Sequence, residues 1–290
     1  MIFTDLDGTL LDFESYEPGP AAAAVALCRQ AGVPVIPATS KTAVEVIRLR
    51  ESLDLESPFI VENGALLFLP DRHEFTDSME ALALAEGRTV TRENGFLKII
   101  FGMERPILQE RLAGIMSDLG VTVRPLSQMS EAEISAETGL PAASARAVNQ
   151  REYSEPFLLG PEHGGLSTTD RYALLDRFRD EAIRSGLNCL LGGRFFHLLG
   201  DHSKGTTARF VINGFGQASG SEWTSMALGD APNDFDLLRE VDHPVLVKRP
   251  DGSHAQGLEI PRLTATDGIG PAGWHEAVTA RLETITGGAD

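Results

Sequence analysis

Cysteine is nearly absent from this chain of 290 residues: only Cys28 and Cys189 occur, far apart and without a Cys-x-x-Cys pair. Neither a disulfide framework nor a cysteine zinc site can be built from them, and a reducing, cytoplasmic setting is expected. Basic charge is also short, with 25 Lys+Arg against 42 Asp+Glu and a formal net charge of -17. A field of that sign repels nucleic-acid phosphates and anionic lipid, so neither is expected as a partner. Long apolar runs are missing too. The stretch Ala21 to Leu27 stops at Cys28 and Arg29, well short of the roughly 20 residues that span a bilayer. Asp5 and Asp7 interrupt any basic-then-apolar export segment near the start. What remains is 42% hydrophobic and 23% charged, a globular composition long enough for about two domains.

The first domain reads as alternating strand and helix. Met1 to Thr4 is a short apolar strand opening into Asp5-Leu6-Asp7-Gly8-Thr9, Pro20 to Gln30 is an alanine-rich helix stopped by Gly32, and Val33 to Ala38 is the next strand. Thr39-Ser40-Lys41-Thr42 caps a helix to about Leu53, and Pro58 to Val61 makes a third strand ending at Glu62-Asn63-Gly64. Such alternation predicts a parallel sheet. From about Arg88 the texture changes, with strands at Phe96 to Gly102, Val121 to Pro125, Ser154 to Gly160, Leu187 to Leu191 and Phe195 to Leu199. Helices at Pro106 to Leu119, Ser130 to Val148 and Thr169 to Ser185 separate them, as in a second α/β layer. The first pattern resumes at Ser203 and includes a strand Ser225 to Gly229, so a discontinuous first domain (1–85 and 200–290) with an insertion (86–199) is expected.

Chemistry-bearing side chains collect at the strand ends. Asp5 and Asp7 stand at the carboxyl end of the first strand, where open α/β sheets bind their ligands. Thr39 ends the second strand, Lys204 opens a late helix, and Asp230, Asn233 and Asp234 surround the end of the strand Ser225 to Gly229. Taken singly, Thr39 would be a helix cap, Lys204 a solvated lysine and Asp230-Ala231-Pro232 a turn.

In this order, and each at a strand-to-helix junction, these residues resemble the four motifs of the haloacid dehalogenase superfamily of phosphotransferases. Asp5-Leu6-Asp7-Gly8-Thr9-Leu10 resembles the first motif, Thr39 the second, Lys204 the third and Gly229-Asp230-Ala231-Pro232-Asn233-Asp234 the fourth. The resemblance implies a Rossmann-like α/β core with a parallel sheet and an inserted α/β cap of the Cof type. It also implies a catalytic set of Asp5, Asp7, Thr39 and Lys204, with Mg²⁺ held by Asp5, the carbonyl of Asp7 and Asp230, and with Asn233 and Asp234 supporting the metal's waters or Lys204. Asp5 would be the nucleophile that forms an aspartyl phosphate, and Asp7 the acid and base that protonates the leaving oxygen and then activates water.

Ala38-Thr39-Ser40-Lys41-Thr42, Glu62-Asn63-Gly64-Ala65, the run Arg151 to Phe157 and Gly192-Gly193-Arg194-Phe195-Phe196-His197 look like those of the mannosyl-3-phosphoglycerate phosphatases within that superfamily. Many of its sugar phosphatases carry Thr-Gly-Arg where Ser40-Lys41 stands here. The implied substrate is a phosphorylated sugar acid that yields mannosylglycerate, with Lys41, Asn63, Arg151, Arg194 and His197 as substrate contacts. For Arg151 and Arg194 the competing assignment is a surface ion pair, and Phe195 and Phe196 are expected in the cap's core. Glucosyl-3-phosphoglycerate, sucrose-phosphate or hexose-phosphate phosphatases and a phosphomutase stay open as alternatives. A receiver-like signalling domain shares an acceptor aspartate, a hydroxyl and a lysine, but it lacks a cap and has no second aspartate two residues after its acceptor. Oligomeric state is left open.

Overall fold

The computed structural model describes residues 1–160, 165–192 and 195–286. Its first segment runs β1 (Ile2–Thr4), α1 (Ala21–Gln30), β2 (Val35–Pro37), α2 (Ala43–Leu53), β3 (Phe59–Val61), β4 (Leu66–Pro70), α3 (Thr76–Ala85), β5 (Thr89–Glu93) and β6 (Phe96–Ile100). An insertion follows, made of α4 (Arg105–Leu119), β7 (Val123–Pro125), α5 (Glu131–Thr138), α6 (Ala142–Val148), β8 (Ser154–Leu159), α7 (Thr168–Arg184), β9 (Asn188–Gly192) and β10 (Phe195–Leu199). The chain then completes the first unit with α8 (Lys204–Ser219), β11 (Met226–Gly229), α9 (Phe235–Arg239), β12 (His243–Lys248), β13 (Thr264–Ile269) and α10 (Pro271–Thr286).

Strands from both ends of the chain share one parallel sheet, ordered β13-β12-β11-β1-β2. Strands β12, β11, β1 and β2 are apolar on both faces, as a doubly covered sheet requires, while the edge strand β13 is polar and largely exposed. Ile2, Val35, Met226, Leu228, Val245 and Val247 face one cluster with α1 and α10, where Trp274 is fully buried. The alternate residues Phe3, Ile36, Ala227 and Leu246 face a second cluster with Phe210, Val211 and Phe215 of α8. This is the α/β class expected, with the loops that follow β1, β2 and β11 opening at one edge.

Two features differ from the sequence expectation. The strand Pro58 to Val61 does run parallel to β2, through the bridge Ala38–Ile60, but on its other side it pairs antiparallel with β4. The antiparallel order β3-β4-β6-β5 thus prolongs the sheet, and the strand Phe96 to Gly102, placed from sequence in the insertion 86–199, lies here instead. The reason is burial: Leu97 and Ile99 join Leu67 and Leu69 against the α8 face of the core. A short apolar run states that it is buried without stating against which partner. The helical stretch Ser130 to Val148 is likewise split, because Gly139 closes α5 in the left-handed conformation (φ 77°) and Pro141 precedes α6.

The insertion carries its own antiparallel sheet, β7-β8-β10-β9. Helices α4 and α7 cover one face around Phe157, Phe178 and Phe196, while α5 and α6 form a smaller cluster with Leu126, Met129 and Ile134 against Leu158 and Phe195. Both phenylalanines thus belong to the cap's packing. Among the described residues no helix is long and apolar enough to cross a membrane.

Candidate active site

Asp5 directly follows β1, and its N–H donates to the carbonyl of Leu228 on β11 at 2.9 Å. The sheet register therefore sets the backbone that carries this carboxylate. From the opposite side comes Lys204, the first residue of α8, whose helix start is capped by Ser203 Oγ accepting from Thr206 N–H at 3.2 Å. The side chain of Lys204 is 0% exposed, and its Nζ donates to Asp5 Oδ1 and to Asp234 Oδ1, each at 2.6 Å. Asp234 Oδ2 accepts the N–H groups of Asp230 and Ala231, both at 3.1 Å, which folds the turn after β11 around the lysine. Gly229 permits this closeness, since a Cβ there would fall 2.4 Å from Asp234 Cβ. Thr9 Oγ1 donates to Asp230 Oδ1 at 3.2 Å and ties the first loop to the last.

Oxygens of Asp5, Asp230 and Asp234 lie within 4.8 Å of one another, all three residues buried. Only one ammonium, that of Lys204, sits among them, so two negative charges are in excess. The titration behaviour follows from burial first and from that imbalance second. Burial and the Asp234 charge push Asp230 up to about 7. The same two causes, opposed by Lys204, raise Asp5 well above the usual carboxylate range. For Lys204, burial works against the charged form, but the Asp234 and Asp5 carboxylates outweigh it and raise its pKa. A cage of hard oxygens with an uncompensated double negative charge fits a hard divalent cation. Of the expected ligands, Asp5 and Asp230 lie in this cluster. Asp234 stands beside them, both its oxygens already accepting hydrogen bonds, and Asn233 is half-buried on the same turn.

Asp7 lies outside the cluster. Its Oδ2 pairs with Lys41 Nζ at 2.8 Å, and the other oxygen is buried without a partner. Lys41 in turn lies 3.7 Å from Glu45 Oε1 and 5.0 Å from the ring centre of Tyr16. Burial disfavours its charge, but Asp7 and Glu45 overcome that and raise its pKa. Thr39 is buried, and its Oγ1 accepts the N–H of Lys41 at 3.2 Å.

The remaining expected contacts reach this region from both units. Asn63 is buried in the left-handed conformation (φ 57°) with Oδ1 unpaired. Arg151 is no surface ion pair: its Nη1 donates to Ser40 O at 2.7 Å and to Ser154 Oγ at 3.3 Å, and its buried Nε has no partner. Burial lowers its pKa, with Glu62 the first charge opposing that. His197 on β10 is buried with Nδ1 unpaired, and burial plus the charges of Arg151 and Lys204 bring it down to about 3. Arg194 lies outside the described residues. Two groups here have no counterpart in the sequence-derived set. Glu62 is a buried carboxylate that accepts bonds from residues 152–154, and His202 is a buried imidazole with neither nitrogen paired. Nothing in the spacing marks them. Glu62 falls in a quoted run, but its partners lie about 90 residues away.

Known proteins resemble this chain in sequence and in fold. A model of the haloacid dehalogenase-like hydrolase family matches residues 2–107. The glucosyl-3-phosphoglycerate/mannosyl-3-phosphoglycerate phosphatase of Methanococcoides burtonii is 33% identical, over 96% of this chain and 95% of its own. A protein of the same name from Persephonella marina is 29% identical over 99% of each chain. Sucrose-phosphatase from Synechocystis, solved with sucrose and phosphate, shares the fold with a TM-score of 0.58 at 16% identity, over 96% of both chains. On these grounds the chain belongs to the haloacid dehalogenase-like hydrolases and is similar along its length to phosphatases of that family.

Proposed function

We propose that this enzyme hydrolyses the phosphate ester of mannosyl-3-phosphoglycerate to mannosylglycerate and inorganic phosphate, with Mg²⁺, in the cytoplasm. The observation that carries the chemistry is the buried cluster of Asp5, Asp230 and Asp234 around Lys204. The names borne by the full-length relatives narrow the ester to glycosyl-3-phosphoglycerates. A reducing compartment suits the two cysteines, which are free and buried, their thiols pushed up to about 11 and about 12 by burial.

Asp5, Asp230 and the main chain at Asp7 would hold the Mg²⁺, which supplies positive charge to the phosphoryl oxygens when bound. Asp5 Oδ attacks phosphorus as the bond to the ester oxygen breaks, giving an aspartyl phosphate and the free alcohol. Asp7 gives its proton to that leaving oxygen. In the second half Asp7 takes a proton from water, the water oxygen attacks phosphorus, and the P–O bond to Asp5 breaks, restoring the carboxylate and releasing phosphate. Lys204 and the hydroxyl of Thr39 face the negative charge that passes through this region. Asp234 holds Lys204 in place, and Asn233 on the same turn supports the water shell of the ion.

The leaving group carries a carboxylate as well as a sugar, so a second cationic site is needed. Arg151 and Lys41 are two candidate cations, Arg194 is the third, and Asn63 and His197 offer neutral hydrogen-bonding partners. Phosphate release from a panel of esters, with and without Mg²⁺, tests the reading. Mannosyl- or glucosyl-3-phosphoglycerate is expected to exceed hexose phosphates and sucrose phosphate in kcat/KM, and chelation to abolish turnover. A hexose phosphate as best substrate, full activity after chelation, or a requirement for a bisphosphate activator with little phosphate released would contradict it.

A further inference from the structure

Glu62, Asn63 and Gly64 carry φ values of 50°, 57° and 100° in succession. Glycine adopts such angles freely and asparagine tolerates them, but a left-handed glutamate is strained and persists only where its surroundings over-determine it. What holds Glu62 is visible on both sides. Its N–H donates to Lys41 O at 2.9 Å and that of Asn63 to Thr39 O at 2.9 Å, so the backbone is fastened to the loop after β2. The carboxylate, 1% exposed, reaches the other way, into the insertion. Oε1 accepts the N–H of Glu152 at 2.9 Å, and Oε2 accepts the N–H of Tyr153 at 3.0 Å and the hydroxyl of Ser154 at 2.5 Å. Ser154 Oγ then accepts from Arg151 Nη1, which also donates to Ser40 O. Glu62, Ser154, Arg151 and Ser40 thus form a chain of contacts that returns to the loop where it began. Charge-assisted bonds of this kind are short and strong where water is excluded.

We propose that Glu62 is a positioning residue for substrate selection: its carboxylate fixes the entry of β8 and so holds Arg151 where the guanidinium meets the carboxylate of the leaving group. The guanidinium has a donor to spare, since Nε is buried and unpaired. Its Nη1 reaches Ser40 O, the residue after Thr39, at 2.7 Å, which places Arg151 on the side of the cap that faces the loop after β2. The choice of leaving group rests on the function proposed above; the positioning of Arg151 does not.

Two variants test it. Glu62→Gln keeps the size but replaces one acceptor oxygen by a donor, and Ser154→Ala removes the hydroxyl that bridges Glu62 and Arg151 while leaving the two backbone bonds to Glu62. Each is expected to lower the ratio of kcat/KM for mannosyl-3-phosphoglycerate to that for p-nitrophenyl phosphate by roughly ten- to a hundredfold, mainly through KM for the glycosyl ester. In an Arg151→Ala background neither should lower the ratio further, because the effect passes through that side chain. Independently of substrate, modification of Arg151 by phenylglyoxal, read by peptide mass spectrometry on the full chain, should accelerate in both variants. Unchanged Arg151 reactivity in folded variants, or equal losses on both esters that add to those of Arg151→Ala, overturns the proposal. Faster modification in an enzyme whose wild type shows no preference for the glycosyl ester would sustain the positioning role and sink the substrate assignment instead.

Discussion

At His197 and His202 burial keeps the imidazoles neutral, with pKa values brought down to about 3 and about 4. Desolvation is the leading cause in both. In the unfolded chain each would titrate near the ordinary histidine value of about 6.5. The unfolded state therefore binds a proton that the native state refuses as pH falls below that value, and stability declines with falling pH until the folded pKa is reached. For His202 alone the loss between pH 7 and pH 5 is about 2 kcal/mol. Urea unfolding of His202→Gln at the two pH values should show a smaller difference than the wild type by about that amount; an identical difference would mean that His202 is not held neutral. The gathering of Asp5, Lys204, Asp230 and Asp234 was legible in the sequence from acids at strand ends and a lysine at a helix start, in the order of the four motifs. Lys41 was legible as a cation near the site, but its pairing with Asp7 was not, because that contact is made between two loops and leaves no trace in local spacing.

Among the elements, the meeting of the turn after β3 with the start of α8 is the tightest constraint on the site. A Cβ on Gly64 would lie 2.2 Å from the carbonyl oxygen of Ser203, and its φ of 100° is closed to other residues in any case. The hydroxyl of Thr207 donates to Gly64 O at 2.7 Å, so the helix and the turn are locked in register. Gly64→Ala should cost more than the roughly 1–3 kcal/mol of backbone strain alone, because Ser203 must also retreat and carry Lys204 with it. Thermal unfolding should register the loss, together with a fall in kcat on every ester; a variant of unchanged Tm and kcat would show that this contact does not position Lys204. The parallel strands β1, β2 and β11 were legible from their short apolar runs and from the Gly and Asp punctuation at their ends, whereas the polar edge strand β13 was not. The antiparallel extension β4-β6-β5 was not, since short apolar strands carry no mark of their neighbour or direction. The break between α5 and α6 was written in Gly139-Leu140-Pro141, where alanine-rich flanks masked two stop signals.

Across the whole molecule the labour divides by origin. The discontinuous parallel-sheet unit carries Asp5, Asp230, Asp234, Lys204 and Thr39, the residues proposed to act on phosphate. The insertion carries Arg151 and His197, and Arg151 Nη1 reaches across to Ser40 O at 2.7 Å. The net charge of -17 disfavours anionic polymers, while Lys204 and Arg151 are the cations proposed to meet the phosphate and the carboxylate of a small anionic ester. Such a division predicts that the chemistry on phosphorus persists with a minimal leaving group, and this gives the most direct test. With p-nitrophenyl phosphate the leaving group needs no proton, so the first half-reaction proceeds without Asp7 while the second still requires it. Rapid acid quench of Asp7→Asn during turnover of that ester with Mg²⁺, followed by peptide mapping, is the decisive measurement. The account predicts phosphate accumulating on Asp5 and on no other side chain, and none in Asp5→Asn. Release of p-nitrophenol by Asp7→Asn with no covalent phosphate at Asp5, or phosphate found at another residue, would contradict it.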